Sequence, residues 1–265
     1  MFEEMKIRSF VIGFIGTLFV LVFLFPSEED SLLGDTIFSY TLFGIFPFIW
    51  LKVQTRKQQQ SLLYPISFKG FSGQVPNLLG LTLLLFIFSI GAVWVSSYGL
   101  SFFFPNYVEE MLQDDTEIFG RGIITFLFIL YICLVGPIVE EYIFRGLLLK
   151  RLERKFHIIA SLIITNIIFG ILHMDIIGAF IFGIVMSLLY LKTNNLLVPI
   201  FIHICNNTFV YILLVLDVPM PDFLNYTMVE QLSAVMLPNL ILFLIPIPFL
   251  YMYIKQTWKG VRPQK

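Results

Sequence analysis

Six polar residues lie where the surrounding sequence is almost wholly apolar: Glu140, Glu141, Arg145, His173, His203 and Asn207. Ionisable groups inside such runs are costly to bury, turn inward, and default to functional roles. Glu141 and Arg145 stand at i,i+4 with the acid first, the favourable order for an ion pair on one helix face. Glu140 lies about 100° further round the helix and lacks that partner. A lone buried carboxylate has no such structural reason, so Glu140 is the leading candidate for a general base that takes a proton from water. Phe169 with His173, and His203 with Asn207, are each four residues apart, so each pair shares a face. The chain has only three histidines, and two of them join this set. Thr165 and Asn166 are expected to hydrogen-bond between helices, Asp175 to sit at a turn, and His157 to face solvent.

The elements that carry these residues follow from hydropathy. Of 265 residues, 58% are hydrophobic and 13% charged, with a mean hydropathy of +0.88, beyond what a soluble fold can hide. Apolar runs of about 20 residues, enough to cross a ~30 Å hydrocarbon core, recur throughout. The runs are too continuous for a membrane β-barrel. The expected fold is all-α: a polytopic transmembrane bundle forming a single integral membrane domain over 1–265. About eight spans are expected, at 8–25, 37–52, 77–96, 122–149, 157–174, 176–192, 197–216 and 232–254. The first is read as a retained helix, since no small-residue cleavage site follows it.

Charge alternates between the loops. Lys6 and Arg8; Lys52, Arg56, Lys57 and Lys69; Lys150, Arg151, Arg154 and Lys155; Lys192; and Lys255, Lys259, Arg262 and Lys265 fall on one side. Glu28, Glu29, Asp30 and Asp35, then Glu109, Glu110, Asp114, Asp115 and Glu117, then Asp217, Asp222 and Glu230 fall on the other, with Arg121 the one basic exception. Positive loops stay cytoplasmic, so both termini are expected inside. Cys133 and Cys205 lie within spans, which argues against a disulfide. Residues 98–121, with Phe102, Phe103 and Phe104, are expected to form an interfacial helix, a reading favoured over a lid because aromatic residues gather at membrane interfaces by partitioning alone.

If the spans carrying Glu140 and His173 turn near 156–157, the two residues lie at about the same distance from the turn, roughly 22–26 Å at 1.5 Å per residue, and can face each other. His203 would lie nearer the cytoplasm unless residues 193–198 run extended into the bundle and the helix starts at Pro199.

Glu140-Glu141-Tyr142-Ile143-Phe144-Arg145, Phe169-Gly170-Ile171-Leu172-His173 and His203-Ile204-Cys205-Asn206-Asn207 resemble the EExxxR, FxxxH and HxxxN motifs of the CPBP family, the CAAX prenyl protease type 2 and bacteriocin-processing (Abi) intramembrane proteases. Gly146 and Gly183 fit its pattern, and the motif core covers about 122–210. The resemblance implies an integral membrane peptidase, in a bacterial plasma membrane, acting on a peptide or membrane-protein substrate. In it Glu140 activates water, His173 assists, His203 and Asn207 donate to the oxyanion, and Glu141, Arg145 and Phe169 support them. The family is also described as metalloproteases, and Glu140, His173 and His203 would be a reasonable zinc set. Asn207 is a poor zinc ligand and the H-E-x-x-H spacing is missing, so a metal-free glutamate mechanism is favoured. No nucleic-acid partner or nucleotide-binding loop is expected. The rival classes are a non-catalytic bacteriocin-immunity or regulatory membrane protein and, behind it, a small transporter whose buried Glu and His relay protons.

Overall fold

The structure, a computed structural model, describes residues 2–24, 32–113, 122–215 and 221–261. Every regular element among them is helical. Six helices are long and apolar enough to cross a membrane: α1 (Ile7–Leu24), α2 (Leu32–Lys57), α3 (Ser72–Ser101), α5 (Ile123–Glu153), α7 (Ile176–Thr193) and α9 (Met236–Lys259). The other two expected spans are also apolar helices, α6 (Ile158–Ile171), of only 14 residues, and α8 (Leu197–Val215), of 19. A further helix, α4 (Pro105–Gln113), connects α3 to α5.

The core forms where α3, α6, α7 and α8 pack on one another, with α5 and α9 closing the sides and α1 reaching the rest through α2. Close approach is bought with glycine: a β-carbon on Gly91 would run into the backbone of Leu242 and Phe243 on α9. The 14 residues of α6 span only about 21 Å at 1.5 Å per residue. Its far end is a turn, 172–175, and irregular backbone at depth needs protein around it. Asp175 provides that. Its carboxylate accepts from Gly178 N (2.8 Å) and Ser89 Oγ (2.7 Å), and Ser96 Oγ accepts from Ile177 N at 3.3 Å. The turn is thereby fixed to α3.

Pro199 does not begin a helix. The non-helical link is three residues long, and α8 starts at Leu197, capped by Asn195 Oδ1 (3.1 Å). No extended run is needed because this turn is already covered. Asn195 also pairs with both backbone groups of Ser67, Leu196 N donates to Pro65 O, and Leu196 is fully buried. The 61–70 connection therefore covers the turn before α8.

The two described ends of the chain meet on the basic face. Phe2 and Met5 share an apolar cluster with Val261, and both Arg151 and Arg154 donate to Glu3 O. Glu28, Glu29, Asp30, Asp114, Asp115, Glu117, Arg121 and Asp217 lie outside the described residues. Of the stretch expected to form an interfacial helix, residues 105–113 form α4. Phe102, Phe103 and Phe104 before it are exposed, while Val108 packs with Trp94 and Leu232 and Glu109 accepts from Val229 N. These contacts hold it to the loop before α9. Both cysteines are free thiols.

Candidate active site

The i,i+4 pair forms as its spacing implies. Arg145 Nη1 lies 3.0 Å from Glu141 Oε1, and both side chains are wholly buried. The guanidinium rests 4.4 Å over the Phe169 ring, with Phe144 at 5.9 Å, so aromatic faces partly replace water around the cation. Asn166 donates to Leu162 O and to Ser187 Oγ across the α6–α7 contact. A β-carbon on Gly183 would overlap the Asn166 amide and sit 3.3 Å from Arg145 Nη2. Glycine there lets α7 close over the pair.

The same oxygen of Glu141 also holds His203, whose Nδ1 is 2.8 Å away. His173 Nδ1 lies 2.6 Å from the carbonyl of Phe169 one turn back. A carbonyl or an ionised carboxylate only accepts, so in each ring Nδ1 carries the proton and a neutral ring presents its Nε2 lone pair. The rings are wedged. Phe169 lies 4.3 Å from the His173 ring, and Phe182 lies 5.1 Å from that of His203 in an edge-on arrangement. Both lone pairs converge on one atom: Glu140 Oε2 is 3.8 Å from His173 Nε2 and 3.9 Å from His203 Nε2. These separations exceed a direct hydrogen bond, and that oxygen is buried with no hydrogen-bond partner among the described residues. The Glu140 and His173 side chains are each about one-third exposed, His203 almost buried.

The same three groups are a poor cage for zinc. Bonds of about 2.0–2.1 Å in a tetrahedron put neighbouring ligand atoms about 3.3–3.4 Å apart, closer than the 3.8 and 3.9 Å found. Among the described residues no group of three or more His, Cys, Asp or Glu is arranged to hold a metal ion.

Asn207 faces α5. Two π-helical turns, Tyr131–Val135 and Tyr142–Leu149, flank the Gly136–Glu141 segment that carries both glutamates. Gly136 N donates to Tyr131 O across the first of them. The next such bond, to Ile132 O, would need an N–H that Pro137 lacks. Asn207 Nδ2 supplies it at 3.0 Å. The motif reading assigned no part to Tyr131, Phe182 or the Ile132 carbonyl. Gly136-Pro137 inside a span was the one visible signal, since a proline there orphans a carbonyl four or five residues back.

The elements that hold these groups coincide with the stretch that resembles known proteins. Residues 122–209 match the family model described as type II CAAX prenyl endopeptidase Rce1-like. A provisionally named membrane peptidase of Bacillus subtilis (strain 168), YdiL, is 38% identical over 90 residues, covering 33% of this chain and 37% of its own. The membrane-embedded CAAX protease MroQ of Staphylococcus aureus (strain USA300) is 32% identical over 123 residues, 42% of this chain and 49% of its own. The chain thus spans about half or less of the length of these curated relatives. No solved structure matches it. Residues 122–209 of this integral membrane protein are thus similar to the Rce1-like type II CAAX prenyl endopeptidase family, in agreement with the CPBP resemblance of its three motifs.

Proposed function

We propose that the chain is an intramembrane peptidase of the CAAX-protease type, hydrolysing a peptide bond within or beside the bilayer with a water activated by Glu140. The observation that carries this is the convergence of two histidine lone pairs on a buried carboxylate oxygen without a partner. A water there donates one hydrogen to Glu140 Oε2 and the other to a ring Nε2. Its lone pair is then directed away from all three acceptors, toward a substrate carbonyl carbon. Attack forms the new C–O bond while Glu140 takes the proton. Collapse of the tetrahedral species breaks the C–N bond, and the same proton passes to the leaving amine, yielding acid and amine. His203 contributes as an acceptor that holds the water, set in place by Glu141 and Arg145, and not as the oxyanion donor that the resemblance implies. Asn207 keeps one N–H for the oxyanion beside the one bonded to Ile132 O.

The substrate is a peptide or membrane protein. The relatives' names support that class, one being called a CAAX protease and the other a membrane peptidase. The test compares membrane and secreted peptides from cells expressing wild type or Glu140→Ala. Peptides released only by wild type support the proposal, whereas identical peptide sets would remove it.

A further inference from the structure

In this site His203 presents a lone pair, and Asn207 has one N–H left after Ile132 O. A tetrahedral oxyanion is ordinarily met by more than one donor. Tyr131, which none of the three motifs contains, is placed to supply another. It opens the first π turn of α5, and its ring lies 5.3 Å from that of Tyr40 on α2. Tyr40 in turn donates to Leu127 O at 2.9 Å, so the partner ring is itself anchored to α5. Between Tyr131 and Glu140 lies the bare Cα of Gly136. A β-carbon there would sit 3.3 Å from Tyr131 O, 3.7 Å from Tyr131 Cζ and 3.8 Å from Glu140 Oε1. The phenol and the carboxylate thus both flank Gly136, within electrostatic reach of each other. Among the described residues the Tyr131 hydroxyl has no hydrogen-bond partner, and it is not among the fully enclosed unpartnered atoms.

We infer that Tyr131 is a further catalytic residue, its hydroxyl donating to the carbonyl oxygen of the scissile bond as that oxygen becomes an oxyanion beside Gly136. This rests on the peptidase reading above. The water activated by Glu140 attacks the carbonyl carbon while the phenol meets its oxygen. No proton leaves the phenol, which only donates a hydrogen bond, and the proton balance of the reaction is unchanged.

The probe is membrane from Glu140→Ala cells, which retains uncleaved substrate, incubated with purified full-length protein in proteoliposomes; released peptides are read by mass spectrometry. kcat and KM are then measured on a synthetic copy of the cleaved sequence. Tyr131→Phe keeps the ring on Tyr40 and removes only the donor. Its kcat should fall roughly 10²-fold, as for loss of one oxyanion donor, with KM little changed. Gly136→Ala, which sets a methyl group between the phenol and the carboxylate, should instead raise KM. A spectroscopic arm needs no turnover: with 3-fluorotyrosine incorporated at Tyr131, the fluorine resonance should move on Glu140→Gln. An unmoved resonance, or Tyr131→Phe cleaving like wild type, overturns the inference alone. Wild type releasing nothing overturns the peptidase reading, and the inference with it.

Discussion

At the scale of single residues, the adjacent glutamates have opposite duties. Among the described residues Glu140 has no hydrogen-bond partner on the oxygen that faces the histidines, whereas Glu141 holds two groups, Arg145 and His203, on one oxygen. Glu140→Ala and His173→Ala should each lower peptide cleavage by at least ~10²-fold, the usual worth of a general base, with unchanged melting in detergent. Glu141→Ala strands the Arg145 charge in a wholly buried place. It should cost about 3–5 kcal/mol and show as lower yield and an earlier melting transition as well as lost cleavage; a wild-type melting curve would refute that role. Because the site distances suit a water better than zinc, a strong chelator should leave cleavage largely intact. Elemental analysis of the purified protein is the control, and loss of cleavage restored by stoichiometric zinc would reverse the assignment.

Among the elements, α5 is the least regular and carries the most chemistry. Pro137 interrupts its hydrogen bonding, Asn207 repairs the orphaned carbonyl, and the π turns on either side set the angle at which Glu140 leaves the helix. Pro137→Ala restores an N–H and permits an ordinary helix, so the protein should melt no earlier, and later by up to about 3 kcal/mol of regained stability. Cleavage should nevertheless fall, on the order of 10²-fold for a displacement near 1 Å, and full activity would show that the π turns are incidental. Asn195→Ala removes the cap of α8 and its tie to Ser67, and should cost about 1–2 kcal/mol by thermal unfolding. What was legible beforehand follows the same division. The Glu141–Arg145 pair and the common level of Glu140 and His173 depend on helical periodicity and rise alone, and both are present. The start of α8, the partner of Asn207 and the place of Tyr131 depend on side chains far apart in sequence, which periodicity does not report. Hydropathy likewise ran the α6 span to residue 174, whereas the helix ends at Ile171 and gives way to a polar turn.

For the whole molecule, both described chain ends meet on the basic face, and the alternating loop charge predicts that this face is cytoplasmic. Cysteines introduced at positions 57 and 153 should react with an impermeant thiol reagent only after permeabilisation, and one at 222 in intact cells; labelling of 57 from outside would invert the topology. The shortness of α6 reaches beyond the protein itself. Ile159, Ile163, Ile167, Ile168 and Ile171 line its outer face, and its apolar length is about 21 Å against a hydrocarbon core of ~30 Å. Hydrophobic mismatch of that kind costs fractions of a kcal/mol per Å, and the surrounding lipid relieves it by thinning. The lipid beside α6, next to Glu140 and His173, is therefore expected to thin, and acyl-chain length is expected to modulate the proposed cleavage. In vesicles of progressively longer lipids, cleavage should decline while the detergent-solubilised protein stays unchanged.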